Sequence, residues 1–287
     1  MASAAGQART LATPRKLPPG EGELLFFLHV PKTAGISLTA ILDANFAEDE
    51  IFQVQDWREA EELIEGMSVV ELARVRCVRG HYWFGPGDRA VHDHFSVDPV
   101  VITVMRDPVA RTVSAYQHVM RWPEHWLRQS LGLGDGETMP LHDFVEHPKA
   151  QGEIANLQTR LMVGKVPGNR PQFNVPEGES VPFAAEELLA AAKARLDSFA
   201  WVGLTERMDE SVRLLTTMMG WAPVEELPTL NVNPVPSAQL EVSAETRAAI
   251  LERTALDSEL YAHAGELLDL ALLTHLPPEA PPAAGPS

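Results

Sequence analysis

Two stretches of this chain put basic and hydroxyl side chains where a strand gives way to a helix. In His29-Val30-Pro31-Lys32-Thr33-Ala34-Gly35-Ile36-Ser37, a lysine, a glycine and two hydroxyls share one short loop. In Arg106-Asp107-Pro108-Val109-Ala110-Arg111-Thr112-Val113-Ser114, an arginine ends an apolar run, and Arg111 and Ser114, three apart, share a helix face. Such groups suit an anion. The backbone N–H groups of a helix start and the positive end of its dipole favour a phosphate. Gly35 allows close backbone approach, and the Lys32 ammonium adds a compact, mobile charge. The lysine stands out because only five of the 23 basic residues are lysines. The loop of Lys32, Thr33, Ala34, Gly35, Ile36 and Ser37 is therefore expected to favour one phosphate-like group. Arg106 and Ser114 could converge on a second, with Arg111 bracing the site or pairing with a carboxylate.

This is not the ATPase phosphate loop, which needs four residues between two glycines and then Gly-Lys-Ser/Thr. Here Lys32 precedes its glycine, and the Gly164-Lys165 pair is followed by valine. No strand-end aspartate offers itself to Mg²⁺. The bland alternative for either stretch is an ordinary strand–helix turn with solvent-facing polar groups.

The elements that position these residues are legible as an alternation. Leu24–Val30, Val75–Val78, Val100–Met105 and Ala200–Leu204 are short, apolar runs suited to strands buried on both faces. Helical spacing follows at Leu38, Ile41, Leu42 and Phe46, and again at Val109, Val113, Tyr116 and Met120. Asp107-Pro108 supplies an N-cap and first turn. Met208–Met219 is expected to be a helix stopped by Gly220, Ser243–Leu273 a long helical segment, and Leu141–Glu146 and Ile154–Met162 short pieces. The expected fold class is α/β, a three-layer domain with a mostly parallel central sheet flanked by helices. Residues 1–22 and 276–287, rich in Ala, Pro, Gly and Ser, are expected to be disordered tails around a single domain over 23–275. Residues 121–182 form an irregular stretch rich in Trp, His, Pro and Gly, suited to an acceptor-side insertion or a long surface excursion.

The bulk numbers narrow the partners. The chain has 287 residues, 45% hydrophobic and 22% charged, and a net charge of −17. That acidity disfavours nucleic acid and other large polyanions, so an anionic ligand must be caught in a local pocket. One cysteine, Cys77, excludes an internal disulfide framework. No apolar run is long enough to span a bilayer, and the first residues lack a secretory core, so a cytoplasmic protein is expected.

Taken in order, HVPKTAGISL and RDPVARTVSAY resemble the two nucleotide-binding signatures of the sulfotransferases, with further likeness in RGHYWFG (79–85), NLQTRLMVG (156–164) and VGLTERMDES (202–211). The variant resembled is the carbohydrate type, uronosyl-2-O-sulfotransferase-like and of soluble bacterial style. The resemblance implies a P-loop-like fold and 3′-phosphoadenosine-5′-phosphosulfate (PAPS) as co-substrate, with no metal. It implies that Lys32 through Ser37 hold the 5′-phosphosulfate, that Arg106 and Ser114 hold the 3′-phosphate, and that His81 deprotonates the acceptor hydroxyl. Two positions depart from the family pattern. Arg79 stands where glycan-acting relatives often have histidine, and TLNVNPVPS lacks the basic residue often found in the late loop.

Sulfuryl transfer resembles phosphoryl transfer, an in-line displacement catalysed by positioning and charge stabilisation. Lys32 would neutralise the oxygen bridging phosphate and sulfate, and an imidazole titrating near 6.5 suits proton removal. The acceptor expected is a hydroxyl on a small molecule, lipid or glycan. Trp83, Phe84, Trp122 and Trp126 suit an acceptor wall or core packing. Glu206 and Arg207, just past a strand end, could reach nucleotide or acceptor, and His92 and His94 form a pair without an evident third metal ligand. Two other classes fit the same residues: a nucleotide-dependent phosphotransferase with a degenerate loop, and a nucleotide-binding partner protein without turnover.

Overall fold

Strands β1 (Leu25–Leu28), β2 (Ile51–Val54), β3 (Cys77–Gly80), β4 (Val100–Met105) and β5 (Trp201–Leu204) form one sheet in the order β2-β3-β1-β4-β5, with every pairing parallel. The computed structural model describes residues 16–54, 57–80, 95, 97, 99–163, 184–226 and 241–276. Strands β1, β3, β4 and β5 are buried along their whole length, as a sheet covered on both faces requires. Helices flank the sheet, giving the three-layer α/β architecture read from the alternation.

The chain steps from β3 to β4 across β1, so the sheet's switch point lies at β1 and its neighbours. In open α/β sheets that point, at the carboxyl ends of the strands, is where ligands bind. Thr103 ties the two central strands there, its buried hydroxyl donating to the Leu28 carbonyl at 2.8 Å. Strand β2 is absent from the apolar runs singled out in the sequence. It is a sheet edge where Phe52 is buried and Gln53 exposed, so it lacks the all-apolar signature.

The helices are α1 (Gly35–Asn45), α2 (Trp57–Gly66), α3 (Val69–Arg74), α4 (Pro108–Arg121), α5 (Trp126–Leu131), α6 (Leu141–Glu146), α7 (Gln151–Ile154), α8 (Leu157–Val163), α9 (Ala185–Asp197), α10 (Met208–Met219), α11 (Ala244–Arg253) and α12 (Ala255–His275). Asp107 caps α4 by accepting from Ala110 N–H at 2.8 Å, and Gly220 ends α10 in the left-handed region. Two expected helices are broken. Ser243–Leu273 divides at Thr254, a fully buried residue whose hydroxyl bonds back to the Ile250 carbonyl. Ile154–Met162 divides at Asn156, whose φ of 46° leaves the helical region between α7 and α8.

Residues 121–163 are more ordered than their composition suggests. Helices α4 to α7 and α11 enclose a second apolar cluster of Val109, Val119, Leu127, Phe144, Val145, Ala150, Ile154 and Ile250. Tyr116 reaches into it, its ring edge-on to Phe144 and its hydroxyl donating to the Met139 carbonyl at 2.8 Å. Among the described residues, no helix is long and apolar enough to cross a membrane. Cys77 is buried in β3, and desolvation pushes its thiol up to about 12.

Candidate active site

The loop leaving β1 doubles back through two left-handed residues, Lys32 at φ 70° and Ala34 at φ 61°. Such conformations cost about 1–2 kcal/mol for a residue with a Cβ, so surrounding contacts must hold them. Two contacts do so. The Thr33 side chain is buried and its hydroxyl donates to the Val30 carbonyl at 2.8 Å, while Arg106 donates from Nη1 to the Lys32 carbonyl at 3.0 Å. The Thr33 hydroxyl is therefore spent inside the loop and is not a ligand donor. Gly35 has a packing reason that the sequence does not show. A Cβ there would lie 1.9 Å from Nε2 of His29, whose ring stacks on Phe27.

Helix α1 begins on Ala34, which has no side chain able to cap it. Ser37 N–H already donates to the Ala34 carbonyl at 3.0 Å, which leaves the Gly35 and Ile36 N–H groups, with the positive dipole end, for a ligand. Lys32 is half-buried beside them. Burial is the main cause that brings its ammonium down to about 8, opposed by Glu153 and reinforced by Arg121, Arg106 and Arg111. Three arginines close enough to act on Lys32 make a local concentration of positive charge in an otherwise acidic chain.

Arg106 sits one residue past β4, beside β1, and burial lowers its pKa from the usual guanidinium range. Its Nε is buried with no hydrogen-bond partner, and the nearest carboxylate oxygen, on Glu206, is 3.8 Å away. Arg111 is fully buried and pairs with a carboxylate, the second of its two expected roles. Its Nη2 donates to the Glu153 carbonyl at 2.6 Å, and Nη1 lies 3.6 Å from the Glu153 carboxylate. Ser114, one turn further along α4, is 5% exposed.

The acidic candidate Glu206 is held as a brace. Both of its carboxylate oxygens accept from Asp107 N–H at 3.2 Å, and one also accepts from the Tyr261 hydroxyl at 2.8 Å. Arg207 turns instead to Glu210 and Asp269. Arg79 is a clamp: Nε donates to Gln53 at 2.7 Å, Nη1 to the Thr39 carbonyl at 3.1 Å, and Nη1 also pairs with Asp43. It thereby joins β2 and β3 to α1. His81, Trp83, Phe84, His92, His94 and the 227–240 stretch lie outside the described residues. Gly80, which precedes His81, pairs with Leu28 at the end of β1.

His118 is the site residue that the sequence reading passed over. It lies one turn beyond Ser114 on α4, and its imidazole is pushed down to about 4, first by burial, then by Lys32 and His125. The ring centroids of His125 and Trp122 lie 5.3 and 5.9 Å from it. The available signal was the i, i+4 spacing from Ser114. Trp122 is 51% exposed, whereas Trp126 packs against the second apolar cluster.

Curated relatives match this chain in sequence. A heparan-sulfate 6-O-sulfotransferase 3-B of Danio rerio is 28% identical over 184 residues, covering 58% of this chain and 42% of that protein. A heparan-sulfate 6-O-sulfotransferase 1 of Homo sapiens is 29% identical over the same length, with the same coverage. The chain is similar to carbohydrate sulfotransferases. It spans less than half the length of these relatives, and their names carry 6-O rather than the uronosyl-2-O specificity of the type first resembled. No family model matches. A sulfotransferase crystal structure from Alicyclobacillus acidocaldarius aligns with a TM-score of 0.44 and 17% identity, over 86% of this chain and 96% of that one.

Proposed function

We propose that this chain transfers a sulfuryl group from PAPS to a hydroxyl of a carbohydrate acceptor. The observation that carries the reading is the meeting of an uncapped helix start, Lys32 and Arg106 at the adjacent carboxyl ends of β1 and β4. The residues fit the donor. The α1 N–H groups and Lys32 suit its 5′-phosphosulfate, and the unpartnered Nε of Arg106 suits an anionic oxygen of the 3′-phosphate, for which Ser114 on α4 is the second candidate.

In the transfer, the acceptor oxygen attacks sulfur as the bond from sulfur to the bridging oxygen breaks, leaving 3′-phosphoadenosine-5′-phosphate (PAP). Charge develops on that bridging oxygen, where the Lys32 ammonium acts most strongly in the transition state. His81 takes the hydroxyl proton. His118, whose imidazole is pushed down to about 4 by burial and by Lys32, stays uncharged beside that ammonium at neutral pH. The kinship in sequence with heparan-sulfate 6-O-sulfotransferases supports a glycan acceptor.

Calorimetric titration tests the donor. PAP should bind and ATP with Mg²⁺ should not compete with it at equal concentration. Tight ATP–Mg²⁺ binding with no PAP binding would replace sulfuryl transfer by phosphoryl transfer.

A further inference from the structure

We infer that Gln158 is a positioning residue, a buried carboxamide clamp that aims the Arg106 guanidinium at the anion site. The inference rests on the reading of Arg106 as an anion-binding residue. Arg106 is the first residue past β4, where the ladder ends: Thr103 pairs with Leu28 and Met105 with Leu204, and nothing in the sheet pairs beyond them. A backbone N–H and C=O buried there need other partners. Gln158, fully buried, supplies both. Its Oε1 accepts from Arg106 N–H at 3.0 Å, and its Nε2 donates to the Arg106 carbonyl at 2.8 Å. The carboxamide thus does what an adjacent strand residue would do, and it fixes φ and ψ at the point from which the guanidinium departs.

The clamp is itself anchored. Asp257, fully buried on α12, accepts from Gln158 N–H at 3.2 Å and from Thr159 N–H and Oγ1, each at 2.7 Å. Asn156 returns the favour: its Oδ1 accepts from Leu256 N–H at 2.9 Å and Asp257 N–H at 3.3 Å. The starts of α8 and α12 therefore cap each other. From this fixed junction the line runs through Gln158 to Arg106, and through Arg106 to the carbonyl of left-handed Lys32. Glutamine is the residue type that meets the need: asparagine is a methylene shorter, and glutamate has no donor for the carbonyl.

The test uses PAP and adenosine 5′-monophosphate (AMP), which lacks the 3′-phosphate, titrated calorimetrically into the full chain. The proteins are wild type, Arg106→Ala, Gln158→Ala and the Arg106→Ala/Gln158→Ala double variant. Gln158→Met, which keeps side-chain length and burial but neither hydrogen bond, is the second probe should alanine cost the fold. Gln158→Ala or Gln158→Met should weaken PAP on the order of tenfold, the size of one network coupling, and weaken AMP far less. In the Arg106→Ala background the same change should cost PAP affinity nothing further. A Gln158 effect equal for PAP and AMP, or one that adds to that of Arg106→Ala, would make Gln158 a fold-stabilising residue only and overturn the inference. Arg106→Ala that leaves PAP affinity intact would instead overturn the reading of Arg106 itself.

Discussion

Replacing Gly35 by alanine drives a methyl into space that the His29 ring already fills. The added Cβ would stand 1.9 Å from Nε2 and 2.0 Å from Cδ2, far inside van der Waals contact. The ring cannot simply slide back, because it stacks at 16° on Phe27, which is fully buried in β1. Either the imidazole swings out or the start of α1 shifts away from the loop. Overpacking of this kind costs about 1–3 kcal/mol. For a chain of this size that lowers Tm by roughly 2–4 °C per kcal/mol. His29→Ala alone loses the ring stacking, about 0.5–1.5 kcal/mol, and removes the obstacle. The double variant His29→Ala/Gly35→Ala should therefore be about as stable as His29→Ala alone. Urea denaturation of the four proteins gives the coupling energy, and a PAP titration shows whether the loop recovers. Additive losses in the double variant would refute the steric argument.

Further outcomes follow from the same geometry. Lys32 sits near 8 in the free protein, so an anion that raises this value makes binding take up protons at higher pH. PAP affinity should fall as pH rises past about 8, and proton uptake, read by calorimetry in buffers of different ionisation enthalpy, should vanish in Lys32→Met. His118 titrates near 4 in the fold against about 6.5 in the unfolded chain. The unfolded chain then binds more protons between these values, so this contribution is intact above about 6.5 and is lost as pH falls toward 4; His118→Gln should flatten that limb of a urea-stability profile. Arg106→Ala should weaken PAP by about 1.5–3 kcal/mol more than it weakens AMP, as measured by titration. Arg111→Met removes a fully buried guanidinium from the Glu153 carbonyl and carboxylate and should destabilise the fold by about 1–3 kcal/mol in urea denaturation.

Much of this architecture is written locally. The buried strands β1, β4 and β5, the Asp107 cap and the Gly220 stop each depend on residues adjacent in sequence, and each stands where the sequence put it. What escaped the sequence depends on distant partners. Gly35 answers to His29 across the loop, Arg79 to Gln53 and Asp43, and Gln158 to the end of a strand 52 residues away. Strand β2 escaped because an edge strand needs only one buried face, and the breaks at Asn156 and Thr254 because helical periodicity runs through both. His118 was hidden for a similar reason: one more polar residue on α4 gains meaning only when Lys32 is seen to be coupled to it.

The proposed sulfuryl transfer depends on the charge at Lys32. The direct measurement is single-turnover transfer from radiolabelled PAPS to a heparan-type oligosaccharide, comparing wild type, Lys32→Ala and His81→Asn, each saturated with donor. The wild type should give labelled acceptor and stoichiometric PAP. Lys32→Ala should lose far more rate than PAP affinity, and His81→Asn should lose about 10²–10⁴-fold in rate. A Lys32→Ala protein that transfers sulfate at the wild-type rate would contradict that dependence on charge.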